Sequence, residues 1–382
     1  MVRGILMILL LVCVLGGASF YLAERLWRGI SAFFPSVRLW AVLAVVGAVV
    51  LILVLSFVRA LTPLPEGVKQ VLGVVGGYCM GIVLYLLLFT VAAELLLLVL
   101  RLFRSPILTH RLFRGFVTLG VLVLTVATCI GGFVHVWQIK RVSYEVELSG
   151  KRDLSDLHLV MISDLHLGAV GSEGRLGRIV AAINDAQPDV VCIAGDFFDT
   201  DFTSIRDPEA AIELLRDIRS TYGVYACLGN HDGGETFSDM VDFLARANIV
   251  LLDDAYTVID DRFVLVGRLD ASAIGGYGER ERKPLSDFFV REDETMPVIV
   301  MDHNPVHIDE YGEEADLILC GHTHRGQVFP GNLITGLMYT VDHGYYRRDA
   351  QSPQVIVSSG VGAWGMPMRV GTDCEVVSVR FY

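Results

Sequence analysis

Carboxylate, imidazole and carboxamide side chains recur in this sequence directly behind short apolar runs. LVMISDLHLG carries Asp164 and His166, and VVCIAGDFFD carries Asp196 and Asp199. VYACLGNHD carries Asn230, His231 and Asp232, VIVMDHNP carries His303, and LILCGHTH carries His322 and His324. Hard divalent ions take carboxylate and carbonyl oxygen, and borderline ions accept imidazole, so a mixed Asp/His/Asn set without thiolate suits Mn, Fe, Zn or Co. Asp164 and His166 stand two apart at a strand end and therefore point the same way. Asp196, preceded by Gly195, has a second reading as a buried cap on the following turn. GNHD and GHTH are more specific, because Asn and His on tight turns preceded by Gly have little structural reason to recur together.

The elements that must position these groups follow from the same runs. Four to six residues rich in Val, Ile and Leu, stopped by Gly or a charged turn, predict a buried strand with a loop at its C-terminal end. Open α/β sheets hold their ligands at that edge. Helical patterns over 175–186, 208–220 (Pro208 in its first turn, Gly223 beyond its end) and 236–247 alternate with the first three runs as βαβαβ. FVLVG, VIVMD and LILCG continue as strands, and LMYTV, QVIVSS and EVVSVRF predict three more near the C-terminus. The mixture implies two packed sheets flanked by helices rather than one doubly wound sheet.

Taken together, DxH, GDxxD, GNHD, a separate His and GHxH follow one another in the order of the calcineurin-like metallophosphoesterase superfamily, which residues 157–326 resemble in full. The resemblance implies a four-layer αββα sandwich and two divalent metal ions. It implies that Asp164, His166 and His324 bind one ion, that Asn230, His303 and His322 bind the other, and that Asp196 bridges them. His231 looks like the family's catalytic histidine, with Asp199 holding its far nitrogen, and Asp232 has a local turn role. Two such cations, about 3.5–4 Å apart, would lower the pKa of a bridging water and hold the hydroxide in line with phosphorus. Thr200 departs from the arginine that protein phosphatases of the superfamily carry after GDxxD, so a phosphoprotein substrate is disfavoured. Arg325 and Arg369 are candidates for holding substrate phosphate, with structural pairing as the other reading of each. The tail VSSGVGAWGMPMRVG is similar to the subgroup that joins such a domain to membrane segments, including bacterial phosphoesterases of the cell wall and of lipid precursors.

The first 140 residues have a different character. Apolar stretches at 4–22, 39–58, 71–93 and 116–137 are long enough, at about 1.5 Å per residue, to span a hydrocarbon core of about 30 Å. They predict about four transmembrane helices, the first of which also reads as a signal peptide because Arg3 precedes it. Residues 1–140 hold 11 basic and 3 acidic side chains and residues 141–382 hold 20 and 40, so a membrane region of 1–140 and an acidic phosphoesterase domain of 141–382 are expected. An acidic domain repels long polyanions, and no nucleic-acid partner is expected.

Basic residues in the loops balance between the two sides. Setting Lys151 and Arg152 aside as part of the folded domain, the bias favours a domain outside the cytoplasm. Glu94 is the intramembrane charge that invites a functional reading, with a helix–helix bond as its alternative. Cys192, Cys227 and Cys320 fall in core strands and form no disulfide framework. RVSYEVEL alternates as a half-buried strand with no flexible linker before it, so the domain is expected close to the bilayer. The function expected is a membrane-anchored phosphoesterase acting on a phosphoester or pyrophosphate, with a lipid or lipid-linked molecule favoured as substrate. A catalytically inactive membrane scaffold is the alternative, and the complete donor set weighs against it.

Overall fold

The protein is described by a computed structural model covering residues 2–59, 62–110, 112–168 and 172–382, with side chains from Val14 onward except those of Glu66 and Ser172. Contacts divide the chain into two compact units, 1–131 and 132–382. The first contains α1 (Val2–Phe33), α2 (Leu39–Phe57), α3 (Glu66–Leu102) and most of α4 (Phe113–His135). Among the described residues, α2, α4 and residues 67–102 of α3 are long and apolar enough to cross a membrane. The side chains at the beginning of the first predicted segment, Arg3 among them, lie outside the described residues, as does Arg111, one of the basic loop residues. Glu94 is paired with Arg25, whose Nε lies 3.5 Å from Oε1. Its charge is thus matched within the helical unit, as the bland reading of this residue requires.

The second unit contains two six-stranded sheets. In chain order the strands are β1 (Ile139–Val146), β2 (His158–Ile162), β3 (Val190–Ala194), β4 (Val224–Cys227), β5 (Ile249–Leu251), β6 (Ala255–Ile259), β7 (Phe263–Gly267), β8 (Val298–Met301), β9 (Leu317–Cys320), β10 (Gly344–Tyr346), β11 (Gln354–Val357) and β12 (Cys374–Phe381). One sheet runs β1-β12-β2-β3-β4-β5 and the other β10-β11-β9-β8-β7-β6. β2 to β5 are parallel, as are β7, β8, β9 and β11, so within each sheet the C-terminal ends of these strands share one edge.

Alternation along the strands builds the layers. Leu159, Met161, Cys192, Leu265, Ile299, Met301, Leu319 and Val377 meet between the sheets. Val160, Ile162, Val191 and Ile193 face outward against α5 (Leu176–Asn184), α6 (Pro208–Arg216) and α7 (Phe237–Arg246). Asp207 caps α6 by accepting from the Ala210 N–H, which places Pro208 in the first turn, where its missing N–H costs nothing. The outer face of the second sheet is covered differently from the expected helical layer. Val264, Val298, Val300 and Ile318 pack against Phe289, Ile308 and Tyr311, which lie on 3₁₀ turns and loops. The β8–β9 connection, residues 302–316, carries one 3₁₀ stretch, Pro305–Glu310, and no α-helix.

One predicted strand is overturned. LMYTV contributes Leu337 and Met338 to the end of helix α8 (Gly331–Met338), and Tyr339 leaves the helix outside any strand. A five-residue apolar run is ambiguous between helix and strand, and here no ladder pairs it.

Candidate metal centre

Sheet register carries the chemistry to one rim. Asp164 and His166 follow β2, Asp196 follows β3, and Asn230 and His231 follow β4. His303 follows β8, and His322 and His324 follow β9. Five of these, Asp164, His166, Asp196, His322 and His324, have φ between 47° and 72°. Left-handed backbone at non-glycine residues is costly and concentrates where function over-determines geometry.

Among the described residues three His/Asp groups could each hold an ion; the third, His166, Asp199 and His231, shares its His166 with the first, and the other two carry the expected ligands. In the first, His166 Nε2 and His324 Nε2 face each other at 3.0 Å, and Asp164 Oδ1 lies 3.4 Å from His324 Nε2. In the second, His322 Nδ1 lies 2.8 Å from Asn230 Oδ1 and 3.3 Å from His303 Nε2. Asp196 stands between them, with Oδ2 3.1 Å from His303 Nε2 and 3.7 Å from His166 Nε2. His303 Nδ1 donates to the Ala194 carbonyl at 2.8 Å. Burial opposes a charge on this ring, but Asp196 and Asp164 outweigh it and push its pKa well above the usual imidazole range, so Nε2–H faces Asp196 and gives up its proton if the ring ligates a cation.

Electrostatics fit the same use. Burial holds His166 down at about 3 and His322 at about 4, and it also lowers His324, so these rings are neutral as ligation requires. Burial pushes Asp164 up to about 6. Burial also opposes ionisation of Asp196, but His303 beside it outweighs that and keeps the carboxylate charged. Imidazoles that converge within 3.0–3.3 Å of one another around buried carboxylates form a donor set that divalent cations fit, with a cation taking the place of the proton on His303.

His231 adjoins both groups. Its backbone N–H donates to Asp196 Oδ1 at 2.8 Å, and its ring lies edge-on to His166 with centroids 5.0 Å apart. The nearest partner of its Nδ1 is Thr200 Oγ1 at 2.8 Å, whereas Asp199 Oδ1 is 3.8 Å away. Thr200, read from sequence only as an absent arginine, is thus the direct hydrogen-bond partner of the His231 ring. Asp232 accepts from the N–H groups of Phe198 and Gly229, the local turn role its position suggested.

Arg369 is almost fully buried and donates to the carbonyls of His324 at 3.0 Å and Gly362 at 2.7 Å. Its guanidinium is committed to holding the His324 loop, so Arg369 takes the structural one of its two readings. Arg325 is half-buried beside the site, and its backbone N–H donates to Thr323 Oγ1. Trp364 was missed at the residue level, although the tail containing it stood out in the sequence. Its ring lies 5.7 Å from His231, and its backbone is clamped to Gln327 by two hydrogen bonds.

Gly195 shows how tightly the rim is built. Its φ is +78°, and a Cβ there would lie 2.6 Å from His303 Nδ1. Gly195→Ala is expected to displace the His303 ring and lower metal content and turnover together. Metal analysis of the purified variant checks this, and full metal content would contradict it.

Two stacked sheets with an Asp/His/Asn set along the C-terminal edges of their parallel strands define a metallophosphoesterase architecture. Residues 157–326 match the family described as calcineurin-like phosphoesterase. The chain is 29% identical over 231 residues to an "uncharacterized metallophosphoesterase" of Helicobacter pylori, covering 59% of this chain and 60% of that one. It is 29% identical over 279 residues to a "transmembrane protein with metallophosphoesterase domain" of Danio rerio, covering 69% and 62%. An Aquifex aeolicus "uncharacterized metallophosphoesterase" matches at 28% over 257 residues, covering 66% of this chain and 97% of that protein. The chain therefore spans about three-fifths of the first two relatives. The apolar helices and the transmembrane relative together support membrane association.

Proposed function

We propose that the protein is a multi-pass membrane phosphoesterase that uses two divalent cations to hydrolyse a phosphoester or pyrophosphate bond of a lipid or lipid-linked molecule, with its domain outside the cytoplasm. The observation that carries this reading is the Asp196 carboxylate, buried between a ring of one donor group and a ring of the other. Asp164, His166 and His324 would hold one cation, Asn230, His303 and His322 the second, and Asp196 both. Bound divalent cations supply Lewis-acid polarisation of a phosphoryl oxygen and a nucleophilic water at neutral pH. The remaining work falls to the chain. Thr200 fixes the His231 ring through Nδ1 and leaves Nε2 for the leaving oxygen. Trp364 flanks that ring on the open side, being about half exposed. No nucleophilic side chain is required.

A phosphoester panel tests the reading with the full chain in nanodiscs, comparing soluble with lipid-linked substrates under Mn²⁺ and under exhaustive chelation. Hydrolysis should depend on added metal and favour the lipid-linked substrates. Phosphate release that survives chelation would refute the metal-dependent mechanism, and no release from any substrate would favour the inactive scaffold.

A further inference from the structure

α8 has the sequence GNLITGLM, carries no charged residue and buries none of its side chains. Leu337 is 89% and Met338 70% exposed, and Leu333, Ile334 and the preceding Phe329 are exposed as well. An eight-residue helix that presents this much apolar surface to water is costly, since fully burying one leucine is worth about 1.5–3 kcal/mol.

The helix is fastened at both ends to the metal rim. Before it, the Phe329 N–H donates to the Val370 carbonyl at 2.8 Å, next to Arg369, which holds the His324 loop. After it, the Tyr339 ring meets His322 edge-on at 6.1 Å. Thr335 Oγ1 donates to Asp342 Oδ2 at 2.7 Å, and the Asp342 carbonyl accepts from Thr323 Oγ1, between the two GHTH histidines.

Topology says what lies on this side of the domain. β1 begins at Ile139, four positions after α4 ends at His135. β1 runs parallel to β12 with Ile139 opposite Cys374, and β12 runs antiparallel to β2 with Val377 opposite Met161. Continuing that register brings Cys374, and with it Ile139, level with Asp164. The chain thus passes from an apolar span into the domain at the metal edge and not at the far edge. Within the second unit, two contacts hold residues 132–135, the end of α4. The Arg369 N–H donates to the Gly132 carbonyl at 3.1 Å, and His135 Nε2 lies 2.9 Å from Asp373 Oδ1. Trp137, Lys140 and Arg141 follow at once, the residue types that anchor a chain at a bilayer surface.

We propose that α8, with Phe329, is a lipid-inserted lip that opens the metal rim onto the bilayer, so that the substrate is a phosphoester whose acyl chains stay in the membrane. The occupant of the apolar surface is the acyl region of the bilayer itself. This rests on the phosphoesterase reading of the site for its second half only. Insertion of the lip is independent of any activity.

Two measurements on the full chain in nanodiscs separate those halves. The emission that Leu337→Trp adds to that of the parent, which carries Trp27, Trp40, Trp137 and Trp364 of its own, should be quenched in discs made with lipids brominated on their acyl chains, relative to unbrominated discs. That added by Val290→Trp, at an exposed position before the N-terminal end of β8 and so toward the opposite edge, should not be. Absence of quenching at position 337 overturns insertion, whether the emission is that of a water-exposed indole or that of an indole covered by a second copy of the chain. The doubly substituted Leu333→Glu, Leu337→Glu protein should then show a ratio of vesicle-borne phosphoester hydrolysis to soluble bis-nitrophenyl phosphate hydrolysis at least about tenfold below that of the parent, since each leucine withdrawn from water is worth one to two decades in partitioning. An unchanged ratio overturns the substrate half. Quenching at position 337 together with hydrolysis of neither substrate by the parent refutes the phosphoesterase reading and leaves insertion standing.

Discussion

Asp196→Asn is expected to strip both cation positions at once. Its Oδ2 is 3.1 Å from a ring of one donor group and 3.7 Å from a ring of the other, so the same negative charge serves both. Asparagine keeps the shape, and its side-chain carbonyl can still accept from the His231 N–H, so the turn survives. What disappears is a buried anionic charge facing both donor groups, and the replacement N–H₂ would turn a donor toward the space a cation needs. Loss of a second-shell partner alone typically lowers metal affinity by about 10- to 100-fold, and a shared first ligand should cost more than that. Metal analysis after dialysis should therefore find less than one equivalent where the parent is expected to hold two, with turnover lost in parallel. A variant that retains two equivalents would show that the two groups do not share this carboxylate.

The comparison with Asp199→Asn sharpens the point. Asp199 Oδ1 lies 4.0 Å from His166 Nδ1 and 3.8 Å from His231 Nδ1, whereas it is Nε2 of His166 that faces His324 and Asp196. That variant should keep its metal.

Much of this centre is legible in the sequence because its placement depends on one regular rule. A buried parallel strand ends where its apolar run ends, so Asp164, Asp196, Asn230, His303 and His322 could be assigned to one kind of position from LVMIS, VVCIA, VYACL, VIVMD and LILCG alone. β1, with Val142, Tyr144 and Val146 turned inward, was legible for the same reason. What period and propensity do not encode is contact between side chains distant in sequence. Thr200 against His231, and Arg369 against the His324 carbonyl across 45 positions, depend on how two loops meet once both sheets are stacked. LMYTV failed for a different reason. Its residues suit a strand by composition, but strand formation needs a neighbour with free hydrogen-bonding groups, and β10 takes the free edge of β11 instead. The thin fourth layer has a similar origin, since periodicity predicts helices where they exist and says little about a sheet face covered by 3₁₀ turns.

The second large effect is expected at His231, and it depends on the leaving group. Thr200 engages Nδ1, so the ring has one nitrogen, Nε2, to offer a departing oxygen. A group that protonates a leaving alkoxide typically contributes about 10²- to 10⁴-fold, and His231→Ala should lose turnover of that order on an alkyl phosphoester. Nitrophenolate leaves without help, so the same variant should lose far less on bis-nitrophenyl phosphate. Metal content should be unchanged, because His231 touches Asp196 only through its backbone N–H, which alanine retains. Thr200→Val should reproduce the leaving-group dependence in miniature, since one neutral hydrogen bond is worth about 1 kcal/mol and hence roughly fivefold. Equal losses on both substrates would instead mean that His231 acts in binding or in holding the metal rim, and an unchanged rate on the alkyl ester would remove it from the reaction.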